Sequence, residues 1–349
     1  MIKVAVIGAS GYTGLELIKM LINHPKFEIS YVGNTEGGTS ISKLHKCLKN
    51  VLEFDVSKTD AREIAKNAQL AFLALPHQAS MQLAKQLIAL NVKVVDLSAD
   101  YRLELEEYEK FYCPHEDVEG LKEAVYGLPE FYSQEIKQAR LIANPGCYPT
   151  ATLLGILPFL KYIDDGAPLF VDAKSGVSGA GKKLTETSHF VTINENLFAY
   201  NPIKHRHSPE IKEKIRKIAG KNLNVTFVPH LLPLTRGMLV SSYAQLNCEI
   251  ENPVQILRDF YKNNKFVRIF DAPVDIKSAA GTNFCDIFAA VNGDSLFVSS
   301  AIDNLLRGAS AQAMVNANLM CGFEEDLAIP SISYVPWKIV LNSNHILFL

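Results

Sequence analysis

Residues 3–14 decide the expected fold. They read Lys3-Val4-Ala5-Val6-Ile7-Gly8-Ala9-Ser10-Gly11-Tyr12-Thr13-Gly14. A short strand-like run is followed at once by a G-x-x-G-x-x-G loop and then by residues of helical composition, Leu15–Leu21. In this setting glycines let the backbone turn tightly and approach a pyrophosphate, which lies at the helix N-terminus. The commoner spacing is G-x-G-x-x-G, and the alternative interpretation is a plain tight turn. The residues that we predict to bind a dinucleotide are Gly8, Ser10, Gly11, Tyr12, Thr13 and Gly14.

The loop opens a region in which strands and helical stretches alternate up to residue 146. Such alternation predicts a parallel sheet covered by helices on both faces. A helix is expected at Gln78–Leu90, where apolar residues recur at helical spacing. The predicted strands are Lys3–Ile7, Ile29–Gly33, Leu70–Leu75, Val92–Leu97 and Leu141–Ala143.

After residue 146 the predicted strands change in length and composition: they become longer and contain Thr, Ser and Tyr among the apolar residues. These strands are Leu169–Ala173, Asn224–Val228, Gly237–Asn247 and Ser295–Ser300, with helices at Pro209–Ala219 and Pro253–Asn263. The Ala-rich stretch Asn304–Met320 is helical again and is expected to return to the first domain. We therefore predict an α/β protein in which a Rossmann-like dinucleotide-binding domain is joined to an α+β domain built on a mostly antiparallel sheet. The first would comprise residues 1–146 and 304–330 and the second residues 147–303, and residues 331–349 would form an extension of unknown role.

Composition limits the classes of function. The chain has 349 residues, a net charge of -2 and a hydrophobic fraction of 48%, which does not indicate nucleic acid as a partner. Its six cysteines are scattered without a C-x-x-C pair, and its histidines form no ligand spacing, so we predict no metal site. No apolar run reaches the roughly 18 residues that a membrane span needs. The N-terminus lacks the features of a signal peptide. We expect a cytoplasmic protein without a membrane partner.

The run Asn144-Pro145-Gly146-Cys147-Tyr148-Pro149-Thr150 contains the candidate nucleophile. An apolar segment follows immediately, and Pro149 suits the first position of a helix. A helix that begins there would direct its unpaired N–H groups at the Cys147 sulfur, which would lower the pKa of the thiol and favour the reactive thiolate. The alternative is an inert cysteine that packs as a small hydrophobic residue.

The run Lys204-His205-Arg206-His207-Ser208-Pro209-Glu210 precedes a well-marked helix. Ser208 is the expected N-cap, Pro209 fits the first turn and Gly220 is a plausible stop. His207 would then lie at the mouth of a helix, where an imidazole can move a proton during attack on a carbonyl. Two histidines and an arginine also suit an anionic substrate, whereas the alternative is a solvated basic turn.

Eight motifs in this order resemble the N-acetyl-gamma-glutamyl-phosphate reductase family, the arginine-biosynthesis relative of aspartate-semialdehyde dehydrogenase. The resemblance covers about residues 1 to 325, and its motifs lie at residues 8–14, 75–77, 96–102, 126–130, 144–150, 174–181, 205–210 and 235–238. The resemblance implies an enzyme with NADPH as its cofactor, an acyl phosphate as its substrate and inorganic phosphate as the group released. In the implied reaction Cys147 attacks the acyl phosphate and expels phosphate, and the resulting thioester accepts a hydride and collapses to N-acetylglutamate semialdehyde. His207 would be the acid–base partner, and Glu210 would orient the site.

The resemblance also implies roles for residues outside the two central motifs. Arg102 is expected to hold the leaving phosphate, although a surface ion pair is the alternative for it. Asn144, His205 and Arg236 are the further candidates for binding the substrate. A glycine-rich loop at residues 175–181 would close over the nicotinamide. The cofactor residues implied in addition to the first loop are Asn34, Ser175, Gly176 and Asn304. The second domain would join subunits into a homodimer or homotetramer through its sheet.

The sequence departs from the family pattern at the tip of the second strand, where Asn34-Thr35 replaces the usual Ser-Arg pair beside the 2′-phosphate of NADP. This leaves the preference between NADP and NAD open, since an acidic residue there would favour NAD and Arg would favour NADP. The residues also leave two related substrates open, N-protected aminoadipyl phosphate and aspartyl phosphate. One methylene changes binding by only about 1–3 kcal/mol. A non-catalytic nucleotide sensor is the remote alternative.

Overall fold

The structure is a computed structural model that describes residues 1–333, so the predicted C-terminal extension lies outside the described residues from position 334 onward. In the described chain, strands between residues 2 and 143 form an eight-stranded sheet in the order β3-β4-β2-β1-β5-β6-β8-β7. Neighbouring strands are parallel except for β3 and β4. The strands are β1 (Ile2–Ile7), β2 (Phe27–Asn34), β3 (Thr39–Ser40), β4 (Asp55–Lys58), β5 (Leu70–Leu73), β6 (Lys93–Asp96), β7 (Val125–Tyr126) and β8 (Leu141–Ala143).

Both faces of the first sheet are buried, as expected for parallel strands that are connected by helices. In β1, Val6 belongs to one hydrophobic cluster and Ile7 to the cluster on the opposite face. The helices of this half are α1 (Tyr12–Ile22), α2 (Ile41–Leu44), α3 (Ala61–Asn67), α4 (Ala79–Ala89), α5 (Leu105–Phe111), α6 (Val118–Glu123) and α7 (Pro129–Gln138). The cluster around Val6 also contains Met314, which lies near the end of the described chain.

The second sheet has seven strands in the described chain, in the order β10-β11-β9-β12-β15-β14-β13. Its strands are β9 (Pro168–Gly176), β10 (Phe198–Ala199), β11 (Asn224–Leu232), β12 (Met238–Gln245), β13 (Val267–Ile269), β14 (Cys285–Asn292) and β15 (Ser295–Ile302). Only the pairs β11–β9 and β13–β14 are parallel within this sheet of the described residues, so it is mostly antiparallel as predicted.

Helices cover one face of the second sheet, because Leu153, Ile211 and Leu257 share a hydrophobic cluster with inward-facing strand residues. The remaining α-helices are α8 (Cys147–Ile156), α9 (Phe190–Ile193), α10 (His207–Ala219), α11 (Pro253–Tyr261), α12 (Ile276–Ala279) and α13 (Ala311–Met320). The opposite face carries the exposed aromatic residues Phe170 and Tyr243. The two halves match the predicted fold class.

Three local predictions need correction. Helix α8 begins at Cys147 itself, with Gly146 at the N-cap, rather than at Pro149. Helix α10 begins at His207 with Arg206 at the N-cap, so Ser208 is not the cap. The predicted helix 304–320 is divided, since a π-helix, Leu306–Ser310, precedes α13.

The sequence did not reveal β14. It contains Asp286 and two consecutive alanines, Ala289 and Ala290, which have low strand propensity. Pairing with β15 on one side and β13 on the other nevertheless makes β14 an interior strand of the sheet.

Candidate active site

The turn between β8 and α8 places the candidate nucleophile. Cys147 is the first residue of α8, and its neighbour Gly146 has an extended backbone with φ -69° and ψ 154°. A Cβ added at Gly146 would lie 2.6 Å from Nε2 of His207 and 3.0 Å from Nη1 of Arg102. The imidazole and the guanidinium therefore reach the backbone of the residue that precedes Cys147.

Burial dominates the titration of the thiol and raises the pKa of Cys147 to about 11. The backbone N–H groups of Tyr148 and Cys147, together with the Arg102 charge, act in the opposite direction, whereas the Glu210 charge adds to the rise. The helix N-terminus thus acts as expected, but the prediction of a lowered thiol pKa is wrong because desolvation of the thiolate is the larger effect.

His207 is held as a neutral imidazole. Burial lowers its pKa well below the usual value, and the neighbouring His205, Arg102, His77 and Arg206 lower it further. Its backbone N–H donates a hydrogen bond to Nδ1 of His205 at 3.1 Å. Its buried Nδ1 has no hydrogen-bond partner within residues 1–333. A neutral ring beside Gly146 can accept a proton at Nε2.

Glu210 connects α10 to the turn that carries the nucleophile. It is 1% exposed, and its Oε1 accepts hydrogen bonds from the Gly146 N–H at 3.0 Å and from the Tyr126 hydroxyl at 2.7 Å. Its Oε2 lies 3.4 Å from Nη1 of Arg102. Glu210 is therefore a positioning residue that orients the Cys147 turn and the Arg102 guanidinium.

Arg102 is buried, at 7% exposed, which excludes the surface ion pair considered as its alternative. Its Nε donates to the Asn144 carbonyl at 2.7 Å, and its Nη2 donates to the Leu97 carbonyl at 2.8 Å. These bonds and the Glu210 contact fix the guanidinium beside Gly146, where its charge also stabilises a thiolate.

Two residues that were predicted to bind the substrate, Asn144 and Arg236, bind other parts of the chain with their side chains. The side chain of Asn144 donates to the Ala309 carbonyl at 3.1 Å and accepts a hydrogen bond from Asn316 at 3.0 Å, so its amide holds the C-terminal segment. Arg236 pairs with Glu16 of α1 at 3.1 Å and with Asp303 at 3.1 Å. Two carboxylates therefore balance the Arg236 charge in this structure, and the contact joins the two halves of the chain.

His205 lies beside the nucleophile turn among aromatic rings. Its ring centroid is 5.6 Å from that of Tyr148 and 5.4 Å from that of Tyr200. Burial, followed by the Arg206 charge, lowers the pKa of His205 to about 4. It is therefore neutral at physiological pH and can offer a substrate a hydrogen bond but no charge.

The glycine loop after β1 has the geometry that a dinucleotide requires. Gly8 has φ +86°, and a Cβ there would collide with the Ala74 carbonyl, while a Cβ at Gly14 would lie 2.6 Å from the Gly8 carbonyl. Only glycine permits this packing of loop, strand and helix. Within the described residues no side chain caps α1 at Gly11, so the first N–H groups of the helix are available to a phosphate. The residues fit a pyrophosphate.

A cleft of about 300 Å³ separates the start of α1 from the glycine-rich loop of the second half. Tyr12 and Ser178 line it from opposite sides, and Lys182 donates from that loop to the Ser10 carbonyl at 3.1 Å. Thr13 lies at the same helix terminus, and its carbonyl accepts a hydrogen bond from Ser310 at 3.0 Å. The cleft thus has walls from both halves of the chain.

Ser175 and Gly176, predicted to begin the glycine-rich loop, are the last two residues of β9, which lies against the start of β12. The Gly176 N–H donates to the Gly237 carbonyl at 2.8 Å, and a Cβ at Gly176 would lie 2.9 Å from the Arg236 nitrogen. Ser175 is buried. The side chain of Asn304 accepts from the Gly237 N–H at 2.7 Å and donates to Ser178 at 3.0 Å, so it holds this loop in place.

Asn34 is the last residue of β2 and so lies at the tip of the second strand, as expected. Its Oδ1 accepts hydrogen bonds from the backbone N–H groups of Glu36 at 3.0 Å and Gly37 at 2.6 Å. The side chain therefore stabilises the turn after the strand.

Comparison with known proteins identifies the family of the chain. Residues 3–139 match the model "Semialdehyde dehydrogenase, NAD binding domain", and residues 147–304 match "Semialdehyde dehydrogenase, dimerisation domain". A Sulfurovum sp. protein named N-acetyl-gamma-glutamyl-phosphate reductase is 64% identical over 96% of this chain and 100% of its own length. The Wolinella succinogenes protein of the same name is 59% identical over 96% of this chain and 99% of its own. The chain belongs to the N-acetyl-gamma-glutamyl-phosphate reductase family.

As a member of this family the chain is an oxidoreductase. It has a nicotinamide dinucleotide-binding domain and a second domain that matches the semialdehyde dehydrogenase dimerisation domain. Solved structures share its fold at low sequence identity. Aspartate semialdehyde dehydrogenase II from Vibrio cholerae has a TM-score of 0.70 and 16% identity, covering 92% of this chain and 98% of its own. The Candida albicans aspartate semialdehyde dehydrogenase with NADP has a TM-score of 0.69 and 13% identity, covering 92% and 98%.

Two residues at the reductase site, Tyr126 and Gly308, were missed by sequence reasoning. Tyr126 and Gly308 contact Glu210 and Cys147 respectively, and both lie in stretches that the sequence analysis had already singled out. The available signal for Gly308 was the Arg307-Gly308 pair inside an otherwise Ala-rich helical stretch.

In residues 1–333 no helix is long and apolar enough to span a membrane, and no group of His, Cys, Asp or Glu could hold a metal ion.

Proposed function

We propose that the chain reduces N-acetyl-gamma-glutamyl phosphate to N-acetylglutamate semialdehyde through a thioester on Cys147, as a step of arginine synthesis. The carrying observation is that His207 Nε2 and Arg102 Nη1 both adjoin Gly146, the residue before Cys147. A thiol, a neutral base and a fixed guanidinium at one point suit attack on an acyl phosphate. The curated relatives of high identity carry the name of this reaction.

In the proposed first step the Cys147 sulfur forms a bond to the acyl carbon, and the bond from that carbon to the phosphate oxygen breaks. The thiol proton passes to Nε2 of His207, while phosphate leaves with the electron pair. Arg102 would stabilise negative charge on sulfur and on the departing phosphate. Glu210 contributes by holding the turn and the guanidinium in register.

When bound, the reduced nicotinamide supplies the hydride that brings the thioester carbon to the aldehyde level. The glycine loop, the start of α1 and the end of β9 at Ser175 and Gly176 would hold this cofactor. The carbon–sulfur bond then breaks and returns its electron pair to Cys147. Because burial and nearby cations lower the pKa of His207, its imidazolium is a strong acid that returns a proton to the site readily.

We infer that NADPH is preferred over NADH. Neither Asn34 nor Thr35 at the strand tip is the acidic residue that would bind a ribose 2′-hydroxyl, and Lys58 is the register partner of Asn34 in the β2–β4 pair. A ratio of kcat/KM for NADP and NAD near unity would contradict this preference.

We also infer a homodimer formed through the outer face of the second sheet. Tyr243 of β12 pairs in register with Phe170 of β9 and with Phe297 of β15, so aromatic rings lie side by side on this face. The Tyr243 and Phe297 ring centroids are 5.4 Å apart. Exposed aromatic surface of this kind is typical of subunit interfaces. Sedimentation analysis of wild type and Tyr243→Lys tests the assignment.

The deciding assay runs in the oxidative direction, with N-acetylglutamate semialdehyde, NADP and phosphate. Phosphate-dependent formation of reduced nicotinamide that is lost after alkylation of the thiol would support reaction, substrate and nucleophile together. Turnover only with aspartate semialdehyde or the aminoadipate analogue would move the protein to a sister pathway. A protein that binds the dinucleotide but never turns over would be a sensor.

A further inference from the structure

The proposed substrate carries two anionic ends, an acyl phosphate and an α-carboxylate, so the site needs two cationic positions. Arg102 supplies one of them beside Cys147. The structure leaves few candidates for the other, because Arg236 is paired with two carboxylates and burial lowers the pKa of His205 to about 4. Burial likewise lowers the pKa of His77, to about 4, and leaves it neutral.

Arg206 stands apart from these groups. It is exposed, and within residues 1–333 its guanidinium makes no ion pair. It nevertheless lies at the site, because it is the N-cap residue of α10 between His205 and His207, and the Tyr112 ring that it contacts also packs on His77 at 4.9 Å. Its charge accordingly lowers the pKa values of His77, His205 and His207. An exposed guanidinium immediately before His207 can meet an incoming anion without first breaking a salt bridge.

A rigid aromatic platform orients Arg206. Its guanidinium carbon lies 5.2 Å from the ring centroid of Tyr112, a cation–π distance. The Tyr112 ring is stacked on Tyr108 with centroids 5.0 Å apart, and the Tyr108 hydroxyl donates to the buried Asp100 at 2.7 Å. The platform belongs to the first half of the chain and Arg206 to the second, so the guanidinium lies where the two halves meet.

Tyr112 lies near both guanidiniums. The charges of Arg102 and Arg206 both act on the pKa of its phenol, which burial raises to about 12. Arg102 is buried, with its Nη1 3.0 Å from a Cβ built at Gly146, whereas Arg206 is exposed at the N-cap of α10. A short substrate whose acyl carbon is at Cys147 would therefore extend its far end toward Arg206.

We propose that Arg206 binds the α-carboxylate of the substrate and thereby selects acyl phosphates that carry an acidic group at the end remote from the reacting carbon. This inference rests on the proposed function. A guanidinium can engage both oxygens of a carboxylate at once, and the Tyr112 platform reduces the rotamer freedom lost on binding. Arg102 retains the phosphate end, so each anionic end of the substrate has its own guanidinium.

The test compares N-acetylglutamate semialdehyde with its α-carboxamide, in the oxidative direction with NADP and phosphate. In wild type we expect kcat/KM for the carboxylate to exceed that for the carboxamide by about 10- to 100-fold, the scale of a hydrogen-bonded charge pair. Arg206→Gln should remove this preference by raising KM for the carboxylate. The value of kcat, kcat/KM for the carboxamide and KM for phosphate should each change by less than about twofold. Arg206→Lys should restore part of the preference.

Lys204→Gln is the matched control, since it removes an exposed cation two residues away and should keep the wild-type preference. Equal losses on both aldehydes in Arg206→Gln would overturn the proposal, because they indicate a general distortion of the site. A raised KM for phosphate would overturn it in favour of a phosphate role. A wild-type enzyme without turnover on N-acetylglutamate semialdehyde would contradict the proposed function itself. An active wild type whose preference survives in Arg206→Gln would contradict the Arg206 inference alone.

Discussion

Gly308 packs directly on Cys147, since a Cβ added at Gly308 would lie 2.6 Å from the Cβ of Cys147. Gly308 belongs to the π-helix Leu306–Ser310, a geometry that is rare and often found at functional sites. The neighbouring Ala309 carbonyl accepts from Asn144, and Ser310 donates to the Thr13 carbonyl. The π-helix therefore holds the nucleophile turn and the cofactor loop in fixed relation.

Gly308→Ala should displace the nucleophile. The added methyl group cannot be accommodated without a shift of Cys147, and a displacement of about 1 Å can cost about 100-fold in rate. We expect kcat to fall on that scale while the affinity for NADP, measured by fluorescence titration, stays near wild type. Gly155→Ala is the control, because Gly155 lies near the far end of α8 and a Cβ there would come no closer than 3.3 Å to another atom. A normal kcat in Gly308→Ala would show that the turn tolerates the shift.

Cys147→Ser should abolish turnover and leave the fold intact. A serine hydroxyl is a poor nucleophile without strong activation, and the buried site already disfavours even a thiolate. Steady-state rates and circular dichroism of the variant give the comparison. Cys47→Ser, at an exposed cysteine, should behave as wild type. Substantial activity in Cys147→Ser would eliminate the thioester route.

The sequence was sufficient to predict the type of each sheet and to single out Cys147, His207, Arg102 and Glu210, because local patterns and ordered motifs carry that information. It did not reveal the short strands β3, β4, β7, β10 and β13 or the interior strand β14. It could not predict that Arg236 is paired, since its partner Glu16 lies 220 residues away. The prediction of a lowered pKa for the Cys147 thiol was wrong for the same reason. The helix terminus is a local feature, but the burial that outweighs it comes from packing against distant segments.

His207→Asn should slow the chemical step by about 100- to 10,000-fold, the usual scale of general acid–base help. Asparagine keeps a polar group near Gly146 but cannot take up the thiol proton. Single-turnover formation of the thioester, followed after mixing with acyl phosphate, isolates this step from cofactor release. If the rate were unchanged, the acid–base role would pass to another group, with His205 the first to examine.

The raised thiol pKa predicts an unusual pH profile for alkylation. Only the thiolate reacts with iodoacetamide, so the rate at Cys147 should rise about tenfold per pH unit and continue rising from pH 7 to 10 without a plateau. The sign follows from the pKa of about 11, below which the neutral thiol predominates. Peptide mapping by mass spectrometry reads the label on Cys147 apart from the exposed cysteines. A plateau near pH 8 would show that the thiolate is stabilised in solution.

Glu210→Gln should separate the structural and electrostatic effects of this carboxylate. Removing its charge leaves the Arg102 guanidinium buried without its counter-ion, and breaking such a pair costs about 3–5 kcal/mol of stability. The midpoint of urea unfolding should therefore fall. The thiol pKa should fall as well, because the Glu210 charge contributes to raising it, so alkylation of Cys147 at pH 8 should become faster than in wild type. Glu106→Gln, at an exposed acid, should change neither quantity. Lower stability together with slower alkylation would mean that Glu210 acts on Cys147 chiefly through the geometry of the turn and not through its charge.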